Sequence, residues 1–272
     1  MMAILQIIKL NFRVFMLICS GLCFTTSCSN TKVLNAKKSS LENSDLVISK
    51  DEGNFEAHKT KHPILVDGFA KESIWEKSPW YSMNYLWMGK PVNPEDYYGK
   101  FKLAWDKNYL YILVEITDDY LNPTLKDGIE NYWKGDCVEV FLDEDKSGGD
   151  HQYNHQAFAY HVTTEGHIID FGVQKKPIFL DDNIKVKIAK ENNKYTWEMA
   201  VKIYDKNFSE DSKNNKPVNL FFGKTLGFSI SYGDNDGNKT RENFIGSKKS
   251  HGQNNDEGYK NADVFGSVLL VK

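Results

Sequence analysis

The chain has 272 residues, a formal net charge of −3 at pH 7, 13% aromatic side chains and four cysteines. A mildly acidic balance excludes an electrostatic footprint for nucleic acid or for anionic lipid. The length suits one all-β domain of the larger sort, and the aromatic share can supply both a core and a stacking surface.

The opening MMAILQIIKLNFR carries Lys9 and Arg13 and no acidic residue, and VFMLICSGLCF and TTSC follow it. A basic start, an apolar run too short to span a bilayer and small residues before a Cys predict a lipoprotein signal peptide over 1–27. Cleavage then follows Ser27 and the lipid sits on Cys28, although Thr25 stands where such signals usually carry Leu. Cys19 and Cys23 leave with the signal and Cys28 is acylated, so Cys137 stands alone and no disulfide framework forms. Residues 28–57 are polar and lack periodicity, which predicts a flexible tether and leaves 58–272 as the domain. The expected location is the cell envelope, on a lipid anchor facing the periplasm or the cell surface.

Strand patterns dominate the domain. Asp67-Gly68 marks a turn before a short helical segment. KFKLAWDKNYLYILVEITD reads as a hairpin turning at Asp106-Lys107-Asn108, with Leu110, Ile112, Val114 and Ile116 on one face. CVEVFLDED is another strand, and QAFAYHVTTEGHIIDFGV is a pair joined around Glu165-Gly166. In NIKVKIAKENNKYTWEMAVKI, Ile184, Val186 and Ile188 alternate with Lys185 and Lys187, and a turn at Asn192-Asn193 leads back. TLGFSISYGDNDG and VFGSVLLV supply the last strands. The predicted fold is an all-β antiparallel sandwich, jelly-roll or immunoglobulin-like with two sheets, plus one short helix.

In order, VDG with ESIW, FKLAWDKNYLYILVEITD, YWKGDCVEVFLDED, YTWEMAVKI, LGFSISYGDND and DVFGSVLLV resemble family 9 carbohydrate-binding modules from about His62 to Lys272. The resemblance implies a sandwich that binds sugars, often at chain ends, without catalysis of its own. It is a family found in bacterial xylan-degrading enzymes and in many exported proteins. It places one aromatic wall at Trp133, a ligand-bonding carboxylate at Glu139, and the second wall at Tyr259, where members with this site tend to carry Trp. A polar contact follows on the next strand, at His161 or Tyr160, and another at Asp256. The loop RENFIGSKKSHGQNNDEGYK departs most from the family pattern. Structural calcium also occurs in the family.

Strand parity supports the same site independently. Side chains alternate along an extended strand, so Asp136, Val138, Val140 and Leu142 share a largely apolar face. Trp133, Cys137, Glu139, Phe141 and Asp143 fall on the other if the strand stays regular back to Trp133. A ring stacks on the C–H face of a pyranose while a carboxylate accepts from two hydroxyls. Stacking of about 1–3 kcal/mol or less predicts micromolar or weaker affinity. The structural alternative has Trp133 plugging the sandwich and Glu139 pairing with a lysine.

Trp75, Trp105 and Trp197 read as packing, whereas Trp80 and Trp87 are open to either role. A glycosidase needs two carboxylates roughly 5–10 Å apart flanking one bond. Asp136 and Glu139 differ in parity, so no catalytic pair is expected, and no serine-hydrolase, zinc or phosphate-loop motif occurs. DEDKSGGD opens like an oxygen-ligand calcium loop, with Asp143 and Asp145 as candidate ligands, but Asn154 replaces the bidentate glutamate. His151 and His155 read as surface residues, and Asp234 with Asp236 as a turn or a site lining. Related exported sandwiches bind haem, for which Met199 and Met83 are the candidates, although Met199 alternates with packing residues. The expected partners are oligo- or polysaccharide, the membrane through the anchor, and polysaccharide-degrading proteins. A lipid-anchored scaffold with a degenerate sugar site is the remaining alternative.

Overall fold

A computed structural model describes residues 46–272. The predicted signal peptide, the lipidated Cys28 and the tether up to residue 45 lie outside the described residues. In chain order the elements are β1 (Val47–Ile48), β2 (Asn54–Lys59), α1 (Ser73–Lys77), β3 (Trp80–Ser82), β4 (Tyr85–Met88), β5 (Tyr97–Trp105) and β6 (Leu110–Asp118). After a long loop come β7 (Cys137–Asp143), β8 (Ala157–Thr163), β9 (Ile168–Phe171), β10 (Pro177–Phe179), β11 (Ile184–Glu191) and β12 (Lys194–Val201). The last strands are β13 (Thr225–Asp234), β14 (Asn243–Gly246) and β15 (Gly266–Val271).

Alternation builds the core as expected. Leu110, Ile112, Val114 and Ile116 on β6 face Val138, Val140 and Leu142 on β7 within one cluster that also holds Trp105, Trp197 and Met199. Each large apolar side chain fully buried there contributes about 1.5–3 kcal/mol. The β5–β6 turn is closed by Asp106, whose Oδ1 accepts from Asn108 N at 2.7 Å and Tyr109 N at 2.9 Å. Asn192 turns β11 into β12 at φ 58, a left-handed conformation that Asn tolerates.

Three expectations need correction. The two layers are halves of one hydrogen-bonded ladder, β10-β9-β8-β7-β13-β15-β2-β5-β6-β12-β11, folded over the core. The pairing is not wholly antiparallel, because β2 lies parallel to both β15 and β5, and β1 parallel to β3. Strands β1 and β2 also show that ordered structure begins before residue 58, inside the expected tether.

A second apolar cluster covers the outside of β5, β6 and β12, with Ile64, Trp75, Trp80, Tyr111 and Leu113. Glu198 on β12 anchors that cover. Its Oε2 accepts from Asp67 N and Gly68 N, each at 2.9 Å, and its Oε1 from Trp75 Nε1 at 3.0 Å. One carboxylate thus holds both the predicted Asp67-Gly68 turn and helix α1.

Candidate functional site

Strand β7 divides its side chains as parity predicts. Val138, Val140 and Leu142 enter the core, while Glu139 and Phe141 form the floor of a pocket of about 470 Å³ on the other face. Neighbouring strands supply His161 from β8 and Phe244 from β14, and two loops raise the walls. The pocket gathers all five expected residues, Trp133, Glu139, His161, Asp256 and Tyr259. Tyr160 packs in the core instead, which resolves the choice in favour of His161.

Trp133 reaches the pocket by another route than expected. Strand β7 begins only at Cys137, and Trp133 lies in a turn after a short 3₁₀ segment, Ile129–Asn131. Asp136 fixes this turn by accepting from the backbone amides of Asn122 and of Asn235, the latter at 2.7 Å. Gly135 is required there, since a Cβ would lie 2.6 Å from Thr124 Cα. The result is an indole 40% exposed on one wall. Opposite, Gly258 folds so tightly that a Cβ would meet His251 Cε1 at 2.0 Å, and the next residue, Tyr259, stands 41% exposed.

The floor is a charge network. Glu139 Oε1 accepts from Arg241 Nη2 at 2.6 Å and meets His161 Nε2 at 3.1 Å. Burial alone would raise the carboxyl, but His161 and Arg241 outweigh it and hold Glu139 down at about 2. Its other oxygen, Oε2, meets no hydrogen-bond donor among the described residues and remains for a ligand hydroxyl. Partial desolvation and the nearby Glu139 push Asp256 upward. Buried Cys137 lies 3.6 Å from Arg241 Nη2, and burial raises its thiol.

Arg241 escaped the reading of the sequence. Its guanidinium carbon sits 4.5 Å from the Phe244 ring centroid, and its Nε lies 2.4 Å from where a Cβ on Gly233 would stand. Glycine at 233 therefore makes room for the guanidinium. A signal was available: Arg13 and Arg241 are the sequence's two arginines, every other fixed cationic side chain being lysine. A planar, permanently charged fork is what a buried carboxylate requires.

Trp87 supports the floor from behind. The His251 ring stacks on it at 4.1 Å and 2°, with Phe141 at 4.7 Å and Phe265 at 6.0 Å. Neither His251 nitrogen has a partner, and burial, then Lys248, lowers its titration to about 3. Trp80 lies in the outer cluster, away from the pocket. His151 and His155 are buried, contrary to expectation: His151 Nε2 bonds Gly258 O at 2.9 Å, and His155 Nε2 bonds Glu210 at 2.7 Å. Both haem candidates, Met83 and Met199, are wholly buried in the core.

Asp143 and Asp145 spend oxygens on their own turn. Asp143 accepts from Asp145 N at 3.2 Å and Gly148 N at 2.8 Å, and Asp145 from Ser147 N at 3.0 Å. A stronger acidic group is Asp118, Asp136 and Asp234, all buried, with ligand atoms within 4.8 Å of one another. Burial raises them to about 6, 9 and 7 respectively, helped by repulsion from Asp236 and Asp119 at Asp118 and from Asp118 at the other two. Three clustered hard oxygen donors suit a divalent cation such as calcium once ionised. They also accept hydrogen bonds, Asp136 from Asn122 N and Asn235 N, Asp118 from Tyr120 N and Tyr232, and Asp234 from Asn243. Cys137, Glu139 and His161 also converge, but Arg241 already supplies the cation there.

The family described as carbohydrate family 9 binding domain-like matches residues 66–272. Endo-1,4-beta-xylanase C of Paenibacillus barcinonensis is 27% identical over 176 residues, covering 64% of this chain but 14% of the xylanase. A family 9 module from Caldicellulosiruptor kristjanssonii, solved in complex with glucose, has 19% identity and a TM-score of 0.57, covering 83% of this chain and 95% of that one. Its cellotriose complex aligns at 19% identity and a TM-score of 0.59, over 80% and 93% of the two chains. These solved structures share the fold.

Proposed function

Since the chain belongs to the carbohydrate family 9 binding domain-like proteins, we propose that the pocket between Trp133 and Tyr259 binds an oligo- or polysaccharide without cleaving it. The observation carrying this reading is the pairing of two half-exposed aromatic walls with a permanently ionised carboxylate whose Oε2 is uncommitted. The rings stack on sugar C–H faces, Glu139 accepts hydroxyl protons, and Arg241 with His161 keeps that acceptor charged and immobile. The sugar complexes of similar modules and the xylanase relative support a plant-type β-glycan as ligand. Lipidation at Cys28 would hold the protein at the cell envelope, where it captures glycan for partner proteins that degrade or import it.

A calcium ion, held by Asp118, Asp136 and Asp234, would supply the positive charge that these buried carboxylates lack. The surrounding residues fix the loop bearing Trp133 through Asp136. Such an ion would help to hold that wall of the site through Asp136.

A second reading, glycoside hydrolysis, draws on Asp256 and Glu139, which line one pocket with opposed shifts, as an acid and a base require. Against it, Arg241 and His161 both hold Glu139 Oε1, which suits a fixed acceptor. Glycan-array screening followed by calorimetry tests the proposal, with Trp133→Ala and Glu139→Gln alongside wild type. Binding that survives both substitutions unchanged places the site elsewhere, and sugar release from xylan or glucan by the pure protein establishes the hydrolase.

A further inference from the structure

The net charge of −3 averages over unlike patches of the domain. At one end lie Asp96, Asp118, Asp136, Asp234 and Asp236, each raised by burial and by neighbouring carboxylates. Strand β13 runs ten residues from Thr225 to Asp234, about 30 Å, so its far end is well separated from them.

That far end carries a fixed turn. Gly223 N donates to Leu270 O and Leu270 N to Lys224 O, while Leu220 N donates to Lys107 O, each at 2.9 Å. The turn holds Phe221 and Phe222 at 60% and 58% exposure, with Leu269 half-exposed beside Thr225. Lysines surround them: Lys224 Nζ is 5.8 Å from the Phe221 centroid and Lys272 Nζ 5.3 Å from that of Phe222. Lys107 adjoins the turn, and Lys59 covers Trp105, whose Nε1 donates to Val271 O at 2.7 Å. Of the nearby carboxylates, Glu144 pairs with Lys224 at 2.5 Å and Asp106 closes its own turn, while Glu56 lies opposite Leu269, so Lys59, Lys107 and Lys272 are the cations left for a partner.

We infer that this end docks on a bilayer surface containing anionic lipid. Two adjacent phenylalanines on an immobile turn can enter the headgroup–acyl boundary while the lysines meet phosphates. A second copy is a poorer occupant, because a two-fold contact sets the same lysines against one another. Residues 29–45 span at most about 60 Å, enough for either end of the domain to reach a membrane holding Cys28. Docking would turn the acidic end outward, and Trp133 with it, since Lys134 O accepts from Asn235 beside Asp234 and Asp236.

The test is hydrogen exchange on the full chain with vesicles of phosphatidylcholine alone or with 30 mol% phosphatidylglycerol, a composition chosen as roughly physiological. Exchange over 218–224 is expected to slow several-fold with phosphatidylglycerol, to recover in high salt, and to stay fast in Phe221→Ser/Phe222→Ser. Residues 126–134, at the other end, should be indifferent. Equal rates with both lipids, or slowing that survives the double substitution, overturn the inference. Slowing that follows protein concentration and ignores lipid assigns the surface to a second copy and also overturns it.

Discussion

Asp136 and Glu139 lie three residues apart, both are buried, and their carboxyls are driven in opposite directions, to about 9 and to about 2. The difference lies in their neighbours. Glu139 faces Arg241 and His161, whereas Asp136 faces Asp118 and Asp234. Burial makes a carboxylate expensive to ionise, and only an adjacent cation decides whether it stays charged. One carboxylate is therefore held ionised by its neighbours, while the other sits among carboxylates that raise it.

The largest expected effect breaks the first half of that contrast. Glu139→Ala leaves the buried Arg241 guanidinium without its carboxylate, which costs about 3–5 kcal/mol, a fall in Tm of roughly 6–20 °C by calorimetry. Glu139→Gln should keep most of that stability yet weaken glycan binding. The second half is tested with metal: calcium at about one hundred times its Kd should add about 2.7 kcal/mol, raising Tm by roughly 5–10 °C over an EDTA-treated sample. Asp136→Asn should remove that response and Glu139→Gln should leave it intact.

Smaller changes sharpen the picture. Trp133→Ala should weaken binding by about 1–3 kcal/mol in calorimetry with Tm nearly unchanged, and Tyr259→Ala somewhat less. His251 provides the pH test. Its imidazole titrates near 6.5 unfolded and at about 3 when folded, so its contribution is complete above pH 6.5 and fades as pH falls toward 3. Tm should therefore drop between pH 7 and pH 4 by roughly 5 °C more in wild type than in His251→Phe.

The strands and the core were legible because alternation is a local property, as β6 and β11 show. The five site residues also converge, but for Trp133 the expected reason was wrong. A turn fixed by Asp136 carries it to the wall, and no regular strand does so. Arg241 was illegible as a partner because it lies in GDNDGNKTRENF, which reads as loop, and its contacts with Glu139 and Gly233 depend on how β13 and β14 pair. The buried His151 and His155 were missed for the same reason, since their shielding comes from residues far away in sequence. Net charge hid the acidic cluster around Asp234 and the lysines beside Phe221 and Phe222, because a sum over the chain carries no position.

Strand β2 is bonded between β15 and β5, and Ser267 Oγ meets Asn54 Oδ1 across a sequence separation of 213 residues. The strand that joins the two halves of the ladder thus waits for the last one made. During synthesis the domain cannot close until β15 is free, so the chain spends that interval with two open sheet edges. Such a chain stays threadable until β15 is released, and loss of β15 would leave both halves exposed to aggregation.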